Sequence, residues 1–155
     1  MFESTALKIT FNPPNHYSLT GRIDETFPVE IGTEALQDLI HLDFNGITYM
    51  NSIGILKFIT FLTSLPRSTC IYYECVPTIV VSQMGIVKGI VTQRFKIKSF
   101  YVPYIDKEIQ EQIMVLVNID EVVNNNLPYK KHPQNGSLLE PDVQVDRFLK
   151  FLHHN

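Results

Sequence analysis

The stretch Leu39-Ile40-His41-Leu42-Asp43-Phe44 reads as a β-strand and decides the class of fold. Ile40, Leu42 and Phe44 share one face and Leu39 falls on the other, the pattern expected of a central strand covered on both sides. Asn45-Gly46 has the composition of a turn. Ile47 to Met50 then leads to Asn51-Ser52, where a helical period begins. Ile55, Phe58, Ile59 and Leu62 recur at i, i+3, i+4 and i+7, and Pro66 ends the run. A strand handing over at once to an amphipathic helix is the unit from which α/β layers are built.

Working outward from this unit, Leu7, Ile9 and Phe11 alternate with polar residues as a half-buried strand. Asn12-Pro13-Pro14-Asn15 forces a turn, and a second short strand runs from His16 to Leu19 and ends at Thr20-Gly21. Pro28 and Gly32 limit any helix before Leu39 to a short piece over Thr33–Asp38. Downstream, Cys70 to Glu74 is rich in β-formers. Pro77 suits the first turn of a helix reaching about Gly89, with Val80, Met84 and Val87 on one face. Phe95 and Ile97 alternate with Lys96 and Lys98 as an edge-like strand. The order β-β-(α)-β-α-β-α-β over residues 1–104 is that of a mixed sheet with helices packed on it. Residues 105–155 form a small extension. Ile113 to Ile119 is strand-like, Asn124 to Asn126 and Lys130 to Ser137 are loops, and Pro141 opens a last amphipathic helix. Too small for a core of its own, the extension is expected to pack on the main domain or on a partner.

Composition narrows the function. With 45% hydrophobic residues the 155-residue chain has the apolar mass to fold, which excludes disorder. Two cysteines, Cys70 and Cys75, cannot staple a chain of this length and are expected to stay reduced in a cytosol. The longest apolar run, Ile53 to Leu65, contains Lys57 and is too short to span a bilayer. The first residues have neither a basic start nor an apolar signal core, so the expectation is a cytoplasmic protein with no membrane partner. Residues 1–104 carry eight basic and eight acidic side chains, and residues 105–155 five against eight, so the whole net charge of −3 lies in the extension. That balance lacks the basic field a nucleic-acid partner requires.

The sequence has no P-loop, GxSxG, HExxH or CxxC motif, and no cofactor is implied. His41 and Asp43, two apart on one strand, are the one conceivable acid–base pair, with no nucleophile or oxyanion stabiliser beside them. The position that attracts chemistry is Asn51-Ser52. Either side chain can cap the first turn of the helix and do nothing more. The alternative is a serine acting as phosphate acceptor, since a helix start offers free N–H groups and the positive end of the dipole. Added charge there would switch a partner surface.

Three segments, Leu19-Thr20-Gly21-Arg22-Ile23-Asp24, Ile40 to Phe44, and Ile47 through Asn51-Ser52-Ile53-Gly54, resemble a STAS domain (sulfate transporter and anti-sigma-factor antagonist) over residues of about 5–104. The resemblance implies a non-enzymatic anti-anti-sigma-type module that binds a serine kinase of the anti-sigma type and is released on phosphorylation. Ser52 falls on the family's phosphorylated residue and Gly54 on its glycine, with Asn51, Ile53 and Asp24 on the partner surface. Asn51 stands where the family has Asp, and Ile53 where it has a second Ser, which removes an acceptor from the site. These departures keep open a second reading, a constitutive scaffold that is never phosphorylated. The extension resembles a zinc ribbon without its cysteines: Asp106, Ile109, His132 and Asn135 stand at the four ligand positions. Because Ile109 cannot ligate, the expectation is no metal, with the ribbon held instead by packing of Ile113, Leu116, Phe148 and Leu149.

Overall fold

The computed structural model describes residues 6–28 and 38–153. Its first sheet contains β1 (Lys8–Asn12), β2 (His16–Ile23), β3 (Leu39–Met50), β4 (Cys70–Glu74) and β5 (Phe95–Ile97), in that spatial order. β1 and β2 form an antiparallel hairpin, and β2 to β5 run parallel. The crossovers are α1 (Ser52–Ser64) between β3 and β4, and α2 (Thr78–Met84) between β4 and β5. Parallel neighbours need such crossovers, and crossovers are right-handed. Strands added in one direction therefore carry both helices on the same face. The short helix expected over Thr33–Asp38 lies, Asp38 apart, outside the described residues.

This geometry explains the burial along β3. Ile40, Leu42 and Phe44 face the helices and are buried with Ile71 and Tyr73 of β4 and Phe58 and Leu62 of α1. Phe44 meets Tyr73 edge-on at 5.5 Å and Phe58 at 5.9 Å between ring centres, contacts that add to the area buried. Tyr73 is wholly buried, and its hydroxyl donates to the Ile90 carbonyl at 2.7 Å. Burial pushes that phenol well above its usual range. The opposite face, with Ser18, His41, Asp43, Tyr72 and Glu74, is polar and only partly covered. The expectation of a strand buried on both sides is thus corrected, and one-way addition of crossovers is the reason.

Asn45-Gly46 is not a turn. β3 runs through it for 12 residues. Between Ser18 and Thr20 of β2, and again between Gly21 and Arg22, β3 takes one residue more than its partner, so the strand absorbs two bulges. The Asp43 carboxylate accepts from the Asn45 amide at 2.9 Å at the first. A Cβ on Gly46 would lie 2.4 Å from the Thr20 methyl and 2.9 Å from the Leu19 carbonyl oxygen, so close approach to β2 calls for glycine. An Asn-Gly pair makes a hairpin only when the flanking strands pair with each other. Here they are collinear.

A second sheet has the order β7-β6-β9-β8, from β6 (Ser99–Asp106), β7 (Glu111–Asn118), β8 (Lys130–Lys131) and β9 (Leu138–Pro141). It continues from the first: Val76 bridges Phe100, and the Ile119 amide reaches the Lys98 carbonyl at 2.8 Å. The core is shared, with Phe100 against Phe151 at 5.3 Å and Phe148 at 6.1 Å. The Tyr104 hydroxyl donates to the Pro128 carbonyl at 2.6 Å and ties down the loop before β8; burial pushes this phenol up to about 12.

Several boundaries differ from expectation. α2 ends at Met84 because Gly85 and the residues after it turn away. Lys130 to Ser137, expected as loop, opens with β8. The last amphipathic helix is one turn, α3 (Val145–Phe148), followed by a 3-10 stretch, Leu149–His153. Leu149 is buried and Ile113 and Phe148 are partly so, whereas Leu116 is exposed on the outer side of β7. No helix among the described residues is long and apolar enough to cross a membrane.

Replacing Tyr73 by Phe keeps the ring and orphans the buried Ile90 carbonyl. The expected cost is about 1–2 kcal/mol in the free energy of urea unfolding, with an unchanged m-value.

Candidate functional site

The site is built where β2 and β3 end side by side. The Asn51 amide donates to the Ile23 carbonyl at 3.1 Å, which fixes the point at which β3 stops pairing and α1 begins. Asn51 is the N-cap, with extended backbone, and its Oδ1 accepts from the Gly54 amide at 2.8 Å. Its Nδ2 donates in the other direction, to Glu25 Oε2 at 3.1 Å. Lys57, one turn along α1, donates through Nζ to the Glu25 carbonyl. The loop after β2 is thereby held against the start of α1.

Asn51 is thus the cap, and Ser52 is left free of that task. Ser52 is exposed at the first helical position, among the N–H groups that no helical carbonyl can satisfy. Ile53 and Leu56 beside it are 51% and 65% exposed, an apolar pair on the solvent side of α1. Ser52, Leu56 and Thr60 follow one another at i+4, so the serine heads the outward row of the helix.

The other two expected contact residues point inward. A Cβ on Gly54 would stand 2.1 Å from the Ile23 carbonyl oxygen and 2.5 Å from the Asp24 nitrogen, and backbone cannot yield there. Gly54 is what lets α1 sit on the end of β2. Asp24 is buried: its carboxylate accepts from the Thr26 hydroxyl at 2.6 Å, the Thr26 amide at 3.0 Å and Arg22 Nε at 3.1 Å. The Thr26 bonds, with a smaller contribution from Arg22, hold this carboxyl below its ordinary range. Asp24 shapes the loop and presents little surface to a partner. Glu25, absent from the sequence reading, is the residue that faces Asn51. Only its fold-dependent proximity singles it out. A bond from its own backbone amide, with a smaller one from Asn51, holds its carboxyl low as well.

The amide at position 51 has a local reason. An aspartate could cap Gly54 equally well, yet it would set a carboxylate where Asn51 now donates to Glu25. The change of residue type and the acid across from it are complementary.

His41 and Asp43 do not form a pair. His41 Nδ1 lies 2.6 Å from Glu74 Oε1, and its ring stacks on His16, while Asp43 bonds its own strand. In the extension, Asp106 is buried and accepts from the Glu108 amide at 3.0 Å and from the Ser137 hydroxyl. Asn135 accepts from the Ser137 amide at 2.9 Å, and His132 Nδ1 from the Gln134 amide at 3.2 Å. Asn135 and His132 Nδ1 accept within their own loop and Asp106 Oδ2 is taken by Ser137 across from it, while His132 Nε2 is buried 3.6 Å from a Glu111 oxygen, and Ile109 is 54% exposed with no ligand atom to offer. The set does not fit a four-coordinate zinc.

No family model matches the sequence, and neither a curated protein nor a solved structure is similar to it at a significant level.

Two predictions follow the geometry. Gly54→Ala is expected to lower stability by about 3 kcal/mol or to abolish folding, since the added methyl meets backbone. Asn51→Asp is expected to lower stability at neutral pH and to recover it when combined with Glu25→Gln, a coupling read from urea unfolding of the four chains.

Proposed function

We propose that the chain is a non-enzymatic regulatory interaction module, similar in kind to an anti-sigma-factor antagonist. In this reading it docks a serine kinase of the anti-sigma type through the start of α1. Ser52 is the phosphoacceptor, and Ile53 and Leu56 supply the apolar contact. The observation that carries the reading is the division of labour at the strand–helix junction. Asn51 does the capping, so an exposed serine heads the outward face of a 13-residue helix next to two exposed aliphatic side chains. The mixed sheet, with its antiparallel first hairpin and parallel remainder, agrees with the architecture the resemblance implies.

A phosphoryl group on Ser52 would be favoured by the unsatisfied first-turn N–H groups and the helix dipole. It would also add about −2 of charge beside the Asn51–Glu25 contact and among the apolar contacts, which is how phosphorylation breaks an interface. The exposed aliphatic pair equally supports a constitutive scaffold that uses the same face without modification.

Affinity capture with the wild-type chain, Ser52→Ala, Ser52→Asp and Leu56→Asp, together with phosphopeptide mapping of the native protein, tests the reading. A kinase-type partner recovered by wild type and Ser52→Ala, and lost with both Asp variants, is the expected result. Equal recovery with Ser52→Asp and no phosphate on Ser52 would select the scaffold. Indifference to Leu56→Asp would remove this face from either account.

A further inference from the structure

The polar face of the first sheet carries a cluster that the α1 surface does not use. His16 on β2 and His41 on β3 are register partners, and Glu74 on β4 sits opposite Asp43, one pleat along from His41. Three neighbouring strands thus deliver two imidazoles and a carboxylate to one spot. One ligand atom from each lies within 4.8 Å of the others, the only such group of three among the described residues. The rings of His16 and His41 are stacked, 4.3 Å between centres and 8° from parallel. His41 Nδ1 and Glu74 Oε1 are 2.6 Å apart, with 14% and 26% of their side chains exposed.

We propose that His16, His41 and Glu74 form a binding site for a divalent transition-metal ion of the zinc class. The donor set, two imidazole nitrogens and one carboxylate oxygen, suits Zn2+, Ni2+ or Cu2+ and not Ca2+ or Mg2+. With metal–ligand bonds near 2.1 Å, neighbouring donors of a tetrahedral ion stand about 3.4 Å apart. Binding closes the 4.8 Å spread to that distance and opens the 2.6 Å contact, changes of an ångström or two at side-chain ends. His16, which is exposed, is the ring freest to move.

The scaffold beneath is stiff. The His41 amide donates to the Asn15 carbonyl at 2.9 Å, and Asn15 Nδ2 to the Leu39 carbonyl at 3.1 Å, so the turn before His16 is tied to the strand bearing His41. Tyr72 stands edge-on to the His41 ring at 5.5 Å, and Lys98 lies over the Tyr72 ring, 4.9 Å from its centre. Asp43 adds negative charge on the same face. In the metal-free chain, His41 Nδ1 and Glu74 Oε1 are hydrogen-bond partners, and the ion takes the place of that contact. Three protein ligands leave a coordination position to water, as in open zinc sites. The site lies toward the opposite end of β3 from Ser52 and is independent of the docking proposal.

Isothermal titration of ZnCl2 into the full chain carrying His153→Ala and His154→Ala, which removes the terminal histidine pair, tests the site. One ion per chain is expected. His16→Gln and His41→Gln should each weaken binding at least about tenfold, with Glu74→Gln also weaker; circular dichroism of each variant reports whether it folds. Added Co2+ should broaden the ring resonances of His16 and His41 before that of His132, a readout that needs no substitution in the site. Absence of Zn2+ binding, equal affinity in both histidine variants, or broadening centred on His132 would overturn the proposal.

Discussion

The seating of α1 on the end of β2 is the contact on which the rest depends. One carbonyl, that of Ile23, accepts the amide that terminates β3, and the same backbone receives the bare Cα of Gly54. Because the helix comes this close, Phe58 and Leu62 reach the sheet and close over Phe44 and Tyr73. A side chain at position 54 would lift the first turn, open the aromatic cluster and turn the outward row headed by Ser52. Core and surface are set by a single backbone contact.

The order of the strands divides the sheet into two chemistries. Right-handed crossovers added in one direction place α1 and α2 together, so one face collects the apolar side chains and the other keeps water. The wet face can carry histidines and acids without the desolvation that would silence them inside a core. His41 and Glu74 meet there as partly exposed partners. The polar face is thus a by-product of topology, and it is where a second site can be built without disturbing the packing beneath Ser52.

The extension solves a similar problem with other means. The second sheet, shared between β6 and the extension, is too small to bury itself, and it leans on the first through Val76–Phe100 and through the aromatic contacts of Phe148 and Phe151. Its loops are braced by carboxylate and amide acceptors: Asp106 accepts from Glu108 in its own turn and from Ser137 in the loop before β9, and Asn135 accepts from Ser137. The loops hold their shape through hydrogen bonds within and between them and through shared packing.

Local pattern was enough for much of this. The alternation at Ile40, Leu42 and Phe44, the 3.6-residue period from Ile55 to Leu62, the stop at Pro66 and the change of state at Asn51-Ser52 are written within a few residues, since each rests on periodicity or backbone chemistry. They determined the order of elements in the first sheet and pointed to the exposed serine, whereas β6, β8 and β9 are not legible in them. Pairing across distance was out of reach. That Gly46 meets Thr20, that Asn51 meets Glu25 and that His41 meets Glu74 are facts of register between segments 26 to 33 residues apart. Only the folded sheet could choose Glu74 over Asp43 as the partner of His41, because the register of β3 against β4 decides which side chain of the next strand lies within reach. For the same reason Asp24, polar and beside a turn, reads as surface in the chain and becomes an internal brace once Arg22 and Thr26 fold around it.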